Sequence, residues 1–156
     1  MGRGCCAGKG TGVEAHRVIG LVIAAHGRLA REMVATAEQM VGPLQACEPV
    51  EIAPGTSTEE VARMLREAVS RVDGGAGVLV LTDLLGGTPC NQCLCLCQER
   101  QMEVLAGVNL PMLLKASSLR GEGGSLAGLA EALAAYGQKH ITHATALLRA
   151  ATPQGG

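Results

Sequence analysis

Phenylalanine and tryptophan are missing from this 156-residue chain, and Tyr136 is its one tyrosine. A nucleic-acid binder that stacks bases needs aromatic platforms, and these are not there. A basic stripe is lacking too. The formal net charge is −1, so nothing draws the chain towards nucleic acid or an anionic membrane. The opening residues, MGRGCCAGKGTG, have no apolar core of the kind a secretory signal carries. They fall short of two other motifs. Cys6 stands where Gly2 lipidation expects Ser or Thr. The GKG at residues 8–10 has Arg3 in place of the first phosphate-loop glycine and Gly10 in place of Ser or Thr. Residues 1–16 therefore read as a disordered lead. Seven cysteines without a signal point to reduced thiols in a cytoplasmic protein rather than a disulfide framework.

What is present is aliphatic. The hydrophobic share is 47%, so one domain can bury a good core of Val, Leu, Ile, Ala and Met. The chain is organised around residues 17–27, RVIGLVIAAHG. A short apolar run rich in β-branched residues and bounded by polar ones reads as a strand buried on both faces, typical of a parallel sheet under helices. It is too short to span a bilayer. His26 then lies just past the carboxyl end of a central strand, the edge where open parallel sheets collect ligands.

The rest alternates. After His26, LAREMVATAEQMV predicts an amphipathic helix with Leu29, Met33, Ala37, Met40 and Val41 on its apolar stripe, stopped by Gly42-Pro43. Residues 46–52 read as a second strand. Ser57 and Glu60 form a capping box ahead of a helix with Val61, Leu65, Ala68, Val69 and Val72 inward. Residues 77–82 are a third strand, delivering Asp83 and the loop LLGGTP into a helix-like NQCLCLCQER. Residues 102–108 form a fourth strand, followed by Asn109-Leu110-Pro111, the helical run MLLKASSL and a last helix over 125–136. The closing ITHATALL alternates imperfectly and fits a short edge strand or a helical tail. The pattern predicts an α/β fold: a doubly wound, mainly parallel four-stranded sheet with helices on both faces. The single domain spans 17–150, with a flexible tail at 151–156.

Three loops at strand carboxyl ends should converge: His26-Gly27, residues 83–89 and residues 109–111. Gly86-Gly87 allows close backbone approach and exposed amides. Thr88 suits a helix cap with Pro89 at the first helical position, and such a helix start attracts anions. A histidine, a nearby acid and helix-start amides suit phosphoryl transfer. Imidazole attacks phosphorus, a carboxylate on its other nitrogen fixes the tautomer, and amides hold the oxyanions.

The segments VIAAHGRLAREMVATAEQMVG, VLVLTDLLGGTPCN and EVLAGVNLPMLL resemble, in order and spacing, the signature stretches of the mannose-family IIA domain of the sugar phosphotransferase system. The resemblance covers residues 17 to about 136. It implies that His26 accepts phosphate from the phosphocarrier HPr and passes it to a IIB domain. Asp83 would orient and charge-balance the imidazole, and Gly27, Gly86, Gly87 and Thr88 would bind the phosphoryl oxygens. It also implies a homodimer whose sheet gains an antiparallel strand from the carboxyl-terminal region, no metal and no organic cofactor. The family's position before Gly-Gly is often aromatic and is Leu85 here, so partner contacts should differ. With no fused IIB segment in the sequence, a stand-alone IIA is expected.

The cysteines on the third helix need separate weighing. Cys90, Cys93 and Cys97 share one helical face and Cys95 points elsewhere, a spacing that suits core packing better than a zinc site. His140 and His143 read as surface residues that could meet on a helix. His16 precedes the first strand, and Glu51, Glu59 and Glu60 read as solvated charges. Two alternatives to the carrier remain: a regulatory module phosphorylated on His26 without sugar transport, and a metal- or redox-responsive protein using the cysteine helix.

Overall fold

The computed structural model describes residues 17–151. The lead at 1–16, with Cys5, Cys6 and His16, and positions 152–156 of the tail lie outside the described residues. Four strands, β1 (Gly20–His26), β2 (Cys47–Ile52), β3 (Val78–Thr82) and β4 (Met102–Ala106), form one sheet in the order β2-β1-β3-β4. Every pairing is parallel, with Leu21 opposite Cys47 and Leu79, and Val78 opposite Met102. Between them run helices α1 (Leu29–Val41), α2 (Thr58–Val72) and α3 (Thr88–Leu96). After β4 come α4 (Leu110–Leu119), α5 (Leu126–Lys139) and α6 (Ala144–Ala151). The α/β class, the parallel sheet and the helices on both faces are as the alternation predicts.

The period-two rule for strands divides the core. Leu21, Ile23, Leu79 and Leu81 face a layer of Ala30, Val34, Leu113 and Leu133 from α1, α4 and α5. Val22, Ala24, Val78 and Val80 face Val61, Leu65, Val69 and Cys93 from α2 and α3. Both faces of the central strands are covered, which is why β1 and β3 lack polar alternation. At Gly20 the fit is close: a Cβ there would lie 2.7 Å from the Val72 carbonyl oxygen.

One element differs from the periodicity reading, and a second takes one of the two forms that reading left open. The face α1 buries is Ala30, Val34 and Ala37, while Leu29, Met40 and Val41 are exposed. Alanine is small enough to let the helix approach the sheet, so close packing overrides the larger side chains at its ends. The segment 144–151 takes the helical alternative, with no buried residue. Its sequence, ATALLRAA, is rich in strong helix formers and unsupported by a strand neighbour in the chain. Among the described residues no helix is long and apolar enough to cross a membrane.

At the amino end of the sheet lies a buried charge that the sequence did not announce. Arg120, 3% exposed, donates to the carbonyls of Ile19 (3.0 Å), Ala46 (3.1 Å) and Gln45 (2.7 Å). It ties the end of α4 to the starts of β1 and β2. Ala46 has a left-handed backbone (φ 46°), and its carbonyl also accepts from the Leu21 amide at 2.9 Å.

Candidate functional site

In this strand order the chain leaves β1 towards β2 on one side and reaches β3 on the other. The carboxyl ends of β1 and β3 therefore flank the switch point of the sheet, where a crevice opens. His26 ends β1, and Asp83 is the first residue past β3. Their contact is direct. His26 Nδ1 lies 2.8 Å from Asp83 Oδ2, and the His26 main-chain amide donates to the same oxygen at 2.9 Å. The Leu84 amide donates to Oδ1 at 2.9 Å. Burial pushes the Asp83 pKa up, but the hydrogen bonds from His26 and Leu84 outweigh it and hold the carboxyl below its ordinary value.

The tautomer follows from that charge. An ionised carboxylate only accepts, so in the neutral ring Nδ1 carries the proton and Nε2 keeps its lone pair. The His26 side chain is 48% exposed against 11% for Asp83, which leaves the ring accessible above a sheltered carboxylate.

The flanking glycines shape the access. Gly27 has φ 59° and donates its amide to Ile52 at 2.9 Å, turning the chain from β1 into α1. Gly86 has φ 81°, a conformation that suits glycine. Gly87 lies against the imidazole: a Cβ there would be 2.9 Å from His26 Cε1 and 3.6 Å from Nε2. A side chain at that position would crowd the free nitrogen.

Gly87, with φ −72° and ψ 161°, is the N-cap of α3. Thr88 is thus the first helical residue rather than the cap, a correction of one position, and it is exposed. A glycine cap brings no side-chain acceptor, so the first amides of α3 have no partner inside the helix, a helix start of the kind that suits an anion. Asn91, to which the sequence reading gave no role, donates Nδ2 to the Gly86 carbonyl at 3.2 Å. The signal available was an asparagine, a poor helix former, in the first turn of a helix.

Of the three loops, two meet. In the third, Asn109 caps α4 by accepting from the Met112 amide (3.0 Å) and donates to the Gly137 carbonyl at 3.1 Å. That side chain fastens α4 to α5 and makes no contact with His26. Its neighbours Gly107 and Val108 both donate to the Thr82 carbonyl at 2.9 Å, steadying the strand that presents Asp83.

Cys90 and Cys93 are buried, Cys97 is half-buried and Cys95 is exposed, the distribution the helical spacing predicts. Burial pushes the Cys93 thiol up to about 12, which makes it a poor nucleophile. Among the described residues no group of three or more His, Cys, Asp and Glu is arranged to hold a metal ion. His140 stacks on Tyr136 with ring centroids 3.9 Å apart, while His143 lies outside that helix, so the two do not share one. Glu51 is half-buried and paired with Arg31 rather than solvated.

Fold and site define an α/β domain that presents one open imidazole nitrogen, backed by a carboxylate, at the switch point of a parallel sheet. A sequence model of the EIIA-man family, described as the PTS system fructose IIA component, matches residues 20–134. The chain belongs to this family, whose members are components of the phosphotransferase system. It is 33% identical over 98 residues to the mannose-specific EIIAB component of Escherichia coli K12, covering 62% of this chain and 30% of that protein. It thus spans less than a third of that relative. The fructose-specific EIIA component of Bacillus subtilis is 28% identical over 104 residues, 66% of this chain and 71% of that one. The mannose/sorbose-specific IIA subunit from Enterococcus faecalis superposes with a TM-score of 0.73 at 30% identity, covering 80% of this chain and 93% of that chain. A Streptococcus agalactiae EIIA component gives a TM-score of 0.76 at 28% identity, covering 82% of this chain and 98% of that chain.

Proposed function

We propose that this chain is a phosphohistidine carrier, accepting a phosphoryl group on His26 from phospho-HPr and passing it to a IIB domain. The observation that carries the reading is the committed Nδ1. With Asp83 Oδ2 at 2.8 Å from that nitrogen, only Nε2 has a lone pair to offer. In the first transfer the Nε2 lone pair forms a bond to phosphorus. The phosphorus–nitrogen bond of the donor histidine breaks, and its electron pair returns to the donor imidazole. The proton stays on Nδ1, hydrogen-bonded to Asp83, whose charge offsets the positive charge gained by the ring. The amides of Gly87 and Thr88 receive the phosphoryl oxygens, with Thr88 Oγ1 and the turns at Gly27 and Gly86 completing the pocket.

The surroundings suit a protein partner. Leu84 and Leu85 are 51% and 77% exposed beside the histidine, an apolar rim that a second protein can cover. The carrier works in the cytoplasm, as a homodimer, without metal or organic cofactor. His26→Ala tests the reading: phosphate uptake from phosphoenolpyruvate, enzyme I and HPr should vanish while the far-UV spectrum is unchanged. A variant phosphorylated at the wild-type rate would remove His26 from the mechanism.

A further inference from the structure

We infer that Asn91 is a positioning residue for phosphoryl transfer, fixing which way the Gly86-Gly87 peptide faces; the inference rests on the phosphohistidine reading above. Two successive glycines make a weak hinge. The peptide between them can rotate at little steric cost, since neither residue has a Cβ to resist it. Its orientation decides whether an amide or a carbonyl meets an anion on His26.

Asn91 holds that plane from the helix side. Its Nδ2 donates to the Gly86 carbonyl at 3.2 Å, and its own main-chain amide donates to the Gly87 carbonyl at 3.0 Å. Both carbonyls are thereby drawn towards the first turn of α3. The described peptides contain no cis bond, and in a trans peptide the N–H points opposite to the C=O. The amides of Gly87 and Thr88 are therefore turned out of the helix start, where Gly87 already lies against the imidazole. The main-chain bond is the ordinary first bond of a helix. The side-chain bond is the extra one, and among the described residues Asn91 supplies it to Gly86. Releasing it frees the Gly86-Gly87 peptide to flip and set a carbonyl oxygen against the phosphoryl group.

The experiment compares the wild-type chain with Asn91→Leu, which keeps the branched shape of the side chain and removes the donor at an exposed position. Phosphorylation by enzyme I, HPr and phosphoenolpyruvate is followed by intact mass, and the Gly87 and Thr88 amides by NMR. In the wild type both amide protons should move downfield on phosphorylation. In Asn91→Leu the phosphate should still reach His26, at least about tenfold more slowly, and the downfield shift at Gly87 should be lost. Equal rates and equal amide shifts in the two proteins would overturn the inference. So would a wild-type chain that carries phosphate on His26 with unmoved amides, a result independent of how the variant folds. A wild-type chain that takes no phosphate fails the carrier reading itself.

Discussion

At the scale of single residues, the charge on one carboxylate decides the behaviour of His26. Asp83→Asn keeps the shape and can still accept from Nδ1, but it removes the charge that balances the ring during attack. Phosphorylation of Asp83→Asn by phospho-HPr should be slower by about tenfold or more, measured as initial rate by intact mass; an unchanged rate would take Asp83 out of the transfer step. The pH dependence has a fixed sign. The folded carboxyl titrates below its unfolded value, so the pair's contribution is fully present above about pH 3.9 and is lost as pH falls through the lower folded value. The Asp83 carboxyl, followed by its side-chain carboxyl carbon resonance, should therefore titrate with a midpoint below about pH 3.9. A midpoint above that would contradict the assignment. At this scale His26, Asp83 and the glycines were legible because strand ends and Gly-Gly turns mark themselves. The helix cap was misplaced by one residue, because Gly87 and Thr88 both qualify and only the backbone angles choose. Arg120 was not legible, because its partners are backbone carbonyls, which carry no sequence label, and Asn91 left only the weak signal of a poor helix former in a first turn.

At the scale of elements, glycine contacts set how closely helices and strands approach. Gly87→Ala at the start of α3 is tolerated by the backbone, since φ is −72°, yet its methyl group meets His26 Cε1 at 2.9 Å. The variant should fold normally and lose most of its phosphate acceptance, as mass analysis after a fixed incubation would register. Normal acceptance would mean that Nε2 is approached from another side. Gly20→Ala tests the opposite pole of the fold. A Cβ 2.7 Å from the Val72 carbonyl forces α2 off β1, and overpacking of this kind costs about 1–3 kcal/mol. Urea denaturation should show that loss with little effect on phosphorylation kinetics. The helix α2 was read correctly to every inward residue, because its large β-branched and leucine side chains occupy one face. The phase of α1 was not, because an alanine-rich face carries too little hydrophobic contrast to fix a rotation.

At the scale of the molecule, the sheet order brings together residues 57 positions apart in the chain, His26 and Asp83. The alternation of strands and helices conveyed the layers, while the order β2-β1-β3-β4 depends on long-range pairing that a local pattern does not encode. Arg120 closes the far end of the same sheet. Its removal by Arg120→Ala would take the guanidinium from three carbonyls, of which Ala46 keeps the Leu21 amide, a loss of about 2 kcal/mol or more in chemical denaturation. A stability equal to wild type would mean that water replaces the guanidinium without cost.

The most direct test of the carrier account is to identify the phosphorylated atom. The purified chain is incubated with enzyme I, HPr and phosphoenolpyruvate, and the product is examined by intact mass and by long-range proton–nitrogen NMR of its histidines. The account predicts one acid-labile phosphate, on Nε2 of His26, with Nδ1 still protonated. Phosphate on Nδ1, on another residue or on none, with a competent control protein, would contradict it.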